Sequence, residues 1–530
     1  MRAAWLGLAA ALVGCAPEKP MPARPNDTDT DTAPVCVTDT PTDSDLPPDS
    51  TGSTGDVTVP CQTLEWVVHL SSFSVDGVAG VELAPDGTVV LAGWYARDLT
   101  FHDGSAEPYV LPEYCGGTSD EMFLSKHALD GTLVWATRVG GCDHVRAKTF
   151  AVRPDGDIIV AGTLSGTVTF GIGEPNETVL ATEGWTDNWI FVARYGPDGT
   201  FRWVSTIDPA GVGEDVNDVA VGEDGGIYVA GGFEEEIVFA RGTPLELSLT
   251  GSPLGEDKIQ RTDLFVAAYA EDGSFRWAQV AGTTLATDVG YGVVVLGDQV
   301  LVGARLGNPT TLGAGTAQEV TLTPSGSVAA PLLAYGAADG TFLSAEVMPG
   351  LNSKDLAAAG PDSLLMSGAK DDEPTLFGPG EENEVLLDGT NAWYLAEYGV
   401  DATLAWAAGG ASGPIGSGSS LVAMTVQGER VVAAGYFIEG LTLPDGTAWL
   451  AKGAHDAFVV SYDDQHALEC AWVLGGIDSD DATGAVADPD GGVIATGTFE
   501  QTLVIEDGKP ERTEIVSDKG STDIFLVRYK

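Results

Sequence analysis

TFAVRPDGDIIVAGTL (149–164), an insert running to about Glu183, DNWIFVARYGPDG (187–199) and TFRWVSTI (200–207) form one unit of this chain, and the unit recurs. Its apolar runs alternate with a period of two residues and are separated by Pro-Asp-Gly turns, a pattern of antiparallel hairpins; no segment sustains the 3.6-residue period of a helix. Read in order, the unit supplies four strands, a to d, with an insertion between b and c. The d strand carries a marker, seen at Trp66 (LEWVVHL), Trp135 (LVWATRV), Trp203 (FRWVSTI), Trp277 (FRWAQVA), Leu343 (TFLSAEV), Trp406 (LAWAAGG) and Trp472 (CAWVLGG). Spacings of 69, 68, 74, 66, 63 and 66 residues define seven copies.

A four-stranded sheet cannot bury both of its faces alone, whereas seven set radially bury one another. The expected fold is therefore all-β, a seven-bladed β-propeller of four-stranded antiparallel blades with b-to-c insertions. The chain ends support closure: after Trp472 the last unit supplies strands a, b and c, ending in DIFLVRY at Tyr529, and the lone Trp66 strand completes it. The repeat resembles the bacterial seven-bladed β-propeller repeat proteins, often lipoproteins, with GGIDSDDATGAVADPDGGVIATG (475–497) as its best match and DVNDVAVGEDGGIYVAGG from Asp215 close behind. The resemblance implies a fold and hardly any chemistry. Blade four departs most, with Leu343 for the Trp, Ala329 for the strand-c Asp and Gly297-Asp298 for the usual turn.

The 530 residues carry 25 Lys plus Arg against 78 Asp plus Glu, a formal charge of −53. Such a polyanion lacks the basic footprint that neutralises phosphates, which excludes nucleic acid and disfavours anionic lipid surfaces. At the N-terminus, Met1-Arg2 and an apolar run too short to span a bilayer end in Leu12-Val13-Gly14-Cys15, which resembles the lipobox of bacterial lipoproteins. The resemblance implies a signal peptide over 1–14, lipidation of Cys15 and, with Ala16 next, an outer-membrane location on the periplasmic or cell-surface side, the membrane being touched only through the lipid. Residues 15–61 are Thr, Asp and Pro-rich and too poor in bulky apolar side chains to fold, so a disordered tether is expected before a propeller over 62–530.

Strand order places the short Asp-Gly turns (a-to-b and c-to-d) at one end of the ring and the longer, variable b-to-c inserts and d-to-a loops at the other. That second face, with Trp185, Glu234, Asp371 and Asp478, is the candidate binding face, because variable loops on a rigid scaffold carry recognition. Cys115 and Cys142 fall on it together and are the expected disulfide in an exported chain; Cys36 and Cys61 bracket the tether as a second candidate pair, and Cys470 is left as a strand thiol. Asp478, Asp480 and Asp481 are candidate hard-oxygen ligands for Ca²⁺, with Asp215 and Asp218 as a further possibility; no other cofactor is indicated.

The six histidines form no zinc motif, and neither a Gly-x-Ser-x-Gly elbow nor a P-loop occurs. PDGTFRW (197–203) is similar to the sialidase Asp box but sets Asp and Gly adjacent, missing its spacing. These readings favour a non-catalytic binding or scaffolding module for a protein or glycan at the cell envelope. The alternative is an extracellular polysaccharide hydrolase or lyase using acidic loop residues.

Overall fold

The computed structural model describes residues 61–530 apart from 117–118, 183–187, 210–214, 254–260, 284–286, 308, 324–327, 351, 371–372, 389–390, 413–419, 429, 506–511 and 519–520. Cys15, Cys36 and the rest of the tether, as well as Trp185 and Asp371, lie outside the described residues. Among these residues the chain forms β-strands and no α-helix, grouped into seven ladders ordered a-b-c-d. Blade 2 shows the repeat: Val145–Val152, Ile158–Leu164, Trp189–Tyr195 and Phe201–Pro209. The a strands of blades 1 to 7 (Gly77–Leu83, Val145–Val152, Asp215–Val221, Val289–Leu296, Asn352–Ala358, Ser420–Gln427 and Asp480–Ala487) each contact the next, and the last contacts the first. That closed circle is a seven-bladed β-propeller with the a strands around its axis.

Closure follows the expected route. The last blade takes strands a to c from the C-terminal end (Asp480–Ala487, Val493–Glu500, Thr522–Tyr529), and its d strand is Leu64–Ser71, paired antiparallel to Thr522–Tyr529. Thr63 and Lys530 exchange both backbone hydrogen bonds at 3.2 and 2.9 Å, which joins the two ends of the ring.

The marker tryptophans explain why the repeat is written as it is. Four d-strand Trp residues donate the indole N–H to a carbonyl in the c-to-d turn of the following blade: Trp66 to Leu129, Trp135 to Pro197, Trp203 to Glu271 and Trp277 to Ala337, at 3.1–3.2 Å. The indole also lies flat on that turn's glycine. A Cβ on Gly273, whose φ is +83°, would stand 2.7 Å from the Trp203 ring, and one on Gly199 2.9 Å from Trp135. The Asp of the same turn accepts from the backbone and hydroxyl of the residue two ahead, as Asp198 does from Thr200 at 3.2 and 2.7 Å, so Asp-Gly-Thr is one structural word.

Two markers need correction. A bulge at each c-to-d junction shifts the register by one residue, so the marker position, Trp135 opposite Lys126 in blade 1, is Ser344 opposite Ala334, not Leu343, in blade 4. In blade 6 it is Cys470, with Trp472 lying two residues further along the strand. The facing turns change in step: where Ser344 replaces Trp, the turn glycine is Ala402 (φ +63°), and where Trp406 is kept, the turn carries His466 (φ +60°), stacked on the indole with centroids 4.7 Å apart.

The b-to-c inserts are hairpins rather than open loops. In blade 2 the insert forms Thr167–Phe170 and Thr178–Ala181, which pair with the d strand of blade 1 and extend that blade to six strands. The tip then returns to its own blade: Phe201 N–H donates to Glu174 at 3.0 Å, and Asn176 donates to the Phe201 carbonyl at 2.7 Å. Five of the seven hairpins pair in this way with the preceding blade at the rim, as clasps that run toward the Asp-Gly turns, whereas Thr310–Leu312 with Val320–Leu322 and Thr375–Phe377 with Val385–Leu387 form two-stranded sheets of their own.

Candidate functional site

The two ends of the ring are chemically unlike. On the turn face several of the scarce basic side chains join blades: Arg153 and Arg194 both reach Glu271 of the next blade at 3.1 Å, Arg430 reaches the Gly491 carbonyl at 2.8 Å, and Lys126 meets Asp86 at 2.8 Å and the Pro197 carbonyl at 3.3 Å. Together with the indole bonds, these contacts close that face on itself.

On the loop face every a strand contains a bulge near its start, and the extra residue stands out of the ladder at the innermost edge: Ala79, Lys148, Asn217, Tyr291, Lys354, Val422 and Thr483. All seven are half-buried or exposed, as befits a ring just inside the mouth of the axial channel. Lys354 Nζ lies 5.1 Å from the Tyr291 ring centroid, and burial beside Arg305 holds its ammonium below the ordinary lysine range. Lys148 pairs with Asp215 at 2.7 Å. Around this mouth two further stacks repeat the theme: Arg146 lies 4.3 Å over Trp94, and His455 stacks on Tyr436 at 4.9 Å. Two cation–ring pairs, from blades 1–2 and 4–5, and one imidazole–phenol stack in blade 6 thus occupy the loop face.

Below the mouth, carboxylates link the a strands. Glu82 accepts the Val152 N–H at 2.7 Å, Asp218 that of Val293 at 2.7 Å and Asp355 that of Met424 at 2.8 Å, each donor belonging to the next blade. Protein on all sides pushes Glu82 up to about 8, Asp355 up to about 7, and Asp218 well above the ordinary carboxylate range, with the Asp355 charge adding to the last. Raised carboxyls are what acid–base chemistry requires. Here each one is held by a backbone donor of the neighbouring blade, a joining role.

The acidic d-to-a loops serve in the same manner. Asp480 is buried, accepts the Gly476 N–H at 2.6 Å and is pushed up to about 8 by burial and by Asp456. Asp481 turns to His455 at 3.2 Å, and the Asp478 carbonyl accepts from Ala454 at 3.1 Å. Among the described residues no group of three or more His, Cys, Asp or Glu side chains is disposed around a common metal position, so Asp478, Asp480 and Asp481 diverge although adjacent in sequence. Glu234 is half-buried at the root of the blade 3 insert, where burial and Glu235 raise its carboxyl. Cys115 and Cys142 are joined in a disulfide, Cα atoms 5.1 Å apart, on the loop face.

Sequence reasoning missed the bulge ring and the regularity of the inserts. The second left a signal: FGIGEPNE (170–177), FARGTPLE (239–246), LGAGTAQE (312–319) and FGPGEENE (377–384) are one motif. Its closing Glu accepts the N–H of the internal glycine in all four, at 2.6–2.7 Å. The bulges left none, since a single extra residue in a strand does not disturb the alternation visibly.

No known family model matches the chain. It is 24% identical over 234 residues to an uncharacterized WD repeat-containing protein of Acanthamoeba polyphaga mimivirus, covering 37% of this chain and 16% of that one. It is 29% identical over 194 residues to the regulatory protein FlaEY of Caulobacter vibrioides, covering 36% and 18%. The chain thus spans less than a fifth of the length of either relative. Among solved structures, the WD40 β-propeller domain of Doa1 aligns over 89% of this chain and 97% of that one at 9% identity with a TM-score of 0.39. The C-terminal WD40 domain of Sif2 does so over 89% and 99% at 9% identity with a TM-score of 0.37.

Proposed function

We propose that this protein is a non-catalytic binding or scaffolding propeller that engages a protein or glycan partner through its loop face, held at the cell envelope by a lipid on Cys15. The observation that carries the reading is the set of three half-buried ring pairings, Trp94–Arg146, Tyr291–Lys354 and Tyr436–His455, around the channel mouth. Arg146 and His455 are also held by Asp120 and Asp481, so the rings beside them are preset, and flat rings next to polar groups suit a sugar face or a planar side chain. On the turn face the indoles of Trp66, Trp135, Trp203 and Trp277 are instead engaged with the next blade.

The test is retention of envelope partners by the full chain, with cross-links mapped, compared with the W94A/Y291A/Y436A variant. The reading expects a specific protein or glycan cross-linked near Tyr291 and Tyr436 and retained about tenfold less by the variant, roughly the effect of losing 1.4 kcal/mol. Cross-links confined to the Asp-Gly turns, or unchanged retention by a variant with wild-type circular dichroism, would overturn it.

A further inference from the structure

Five of the seven seams between blades are covered by a d-strand marker Trp lying against an intact c-to-d turn of the next blade, and a sixth keeps the turn with Ser344 at the marker position. The seventh, between blade 6 and the closing blade, has no such turn. Strand c of the closing blade ends at Tyr529, its d strand begins at Leu64, and the Thr63–Lys530 pair takes the place of the bonds that flank a turn elsewhere, as Ala128 N–H to Thr132 does at 2.8 Å in blade 1. Cys61 and Gln62, immediately before Thr63, therefore stand where other blades have their Asp-Gly. The Gln62 carbonyl accepts the Trp472 indole N–H at 3.0 Å, and the Gln62 amide donates to the Gly491 carbonyl at 2.5 Å, so this segment is fixed against blade 6 and its own blade.

The marker position facing that gap is Cys470, opposite Ser461 where blade 1 has Trp135 opposite Lys126. Trp over an Asp-Gly turn is thus replaced by Cys470 facing the Cys61-Gln62 segment at the one seam with a break. Cys470 is 4% exposed, Cys61 is half-buried against the same apolar cluster, and the two thiols are in hydrogen-bond contact. We propose that Cys61 and Cys470 form a second disulfide, which locks the N-terminal strand into the ring at its closing seam.

The step needs a disulfide oxidant, such as oxidised glutathione or an oxidised dithiol oxidoreductase of an export compartment. Cys61, the more accessible of the two, attacks the oxidant as thiolate and expels one of its thiols, giving a mixed disulfide. Cys470 loses its proton, attacks Cys61 Sγ and expels the second thiol. Two protons and two electrons leave the protein, and the oxidant becomes two thiols. The Cys61 contact, with burial, holds the Cys470 thiol well above the ordinary range, which makes it the second to react.

The experiment uses the folded full chain, equilibrated with a glutathione redox couple, alkylated and cleaved at aspartate without reduction. Asp56 separates Cys36 from Cys61, and Asp464 and Asp478 bracket Cys470. The expected result is a Cys61–Cys470 linked peptide beside the Cys115–Cys142 one, together with release of the N-terminal strand by protease slower by about tenfold or more in C36S than in C36S/C470S. Alkylated Cys61 and Cys470 in protein whose Cys115–Cys142 bond has formed, a Cys36–Cys61 link, or equal release rates would overturn the proposal.

Discussion

At the scale of single residues, the repeat is maintained by a geometric bargain between an indole and a glycine. Gly273 needs its hydrogen both for a φ of +83° and because Trp203 lies where a Cβ would go, whereas Gly87, at φ +79°, has nothing within 4 Å. Alanine at Gly87 should lower stability by about 1 kcal/mol from backbone strain alone, and alanine at Gly273 by about 2–4 kcal/mol, the excess coming from displacing the indole. Chemical unfolding midpoints of the two variants check this, and equal losses would remove the stacking argument. Asp480 gives a second residue-scale expectation. Its folded carboxyl titrates at about 8, above its ordinary value, so the folded state keeps a proton that the unfolded chain has released. Its contribution is therefore fully present below the ordinary carboxylate range and is lost as pH rises through about 8. D480N keeps an acceptor for Gly476 but no charge, so its stability should fall less steeply between pH 5 and 9 and exceed wild type at pH 9 by on the order of 1–3 kcal/mol; parallel pH curves would contradict it.

At the scale of elements, the inserts show what was and was not legible. Asp-Gly turns, apolar alternation and the Trp marker identify strands a to d because each is written in side chains with strong, local physical reasons: φ > 0, pleat periodicity, an indole over a turn. The insert strands are only three or four residues long and face solvent on one side, so their hairpins hide in what reads as tolerated linker. That Cys470 occupies the marker position is not legible either, because a one-residue bulge, silent in sequence, decides which residue faces the next blade. In blade 1 the clasp is reinforced covalently. Cys115 follows the hairpin strands Leu99–His102 and Tyr109–Leu111, and Cys142 follows the d strand of the same blade, a separation of 27 residues. Closing a loop of that length removes chain entropy worth about 3–4 kcal/mol in the unfolded state. C115S/C142S should lose about that much, and hydrogen exchange should rise first in residues 99–116; an effect below about 1 kcal/mol would show that the hairpin is held by its backbone pairing alone.

At the scale of the whole molecule, a propeller is only as stable as its closure, and the closing blade concentrates its electrostatics on one buried cation. Arg528, with a side chain 4% exposed, donates to Asp488 at 2.8 Å, to Glu65 of the N-terminal strand at 2.6 Å and to the Leu129 carbonyl of blade 1 at 3.4 Å. One guanidinium therefore ties strand c of the last blade, its sequence-distant d strand and the first blade's turn. Asp488 is itself fully buried on its side chain, so removing the cation leaves an uncompensated charge, a loss of about 3–5 kcal/mol rather than the small effect of a surface pair. Because the blades bury one another around the circle, that loss should not stay local. R528M should free Leu64–Ser71 first, seen as early exchange and protease cleavage there, and then lower the unfolding midpoint of the whole ring. R528M/D488N/E65Q, which removes the stranded charges as well, should recover part of the loss. Failure of that recovery, or loosening that begins at blades 3 to 5, would mean that the ring is sealed by its a-strand circle and not by the arginine at its join.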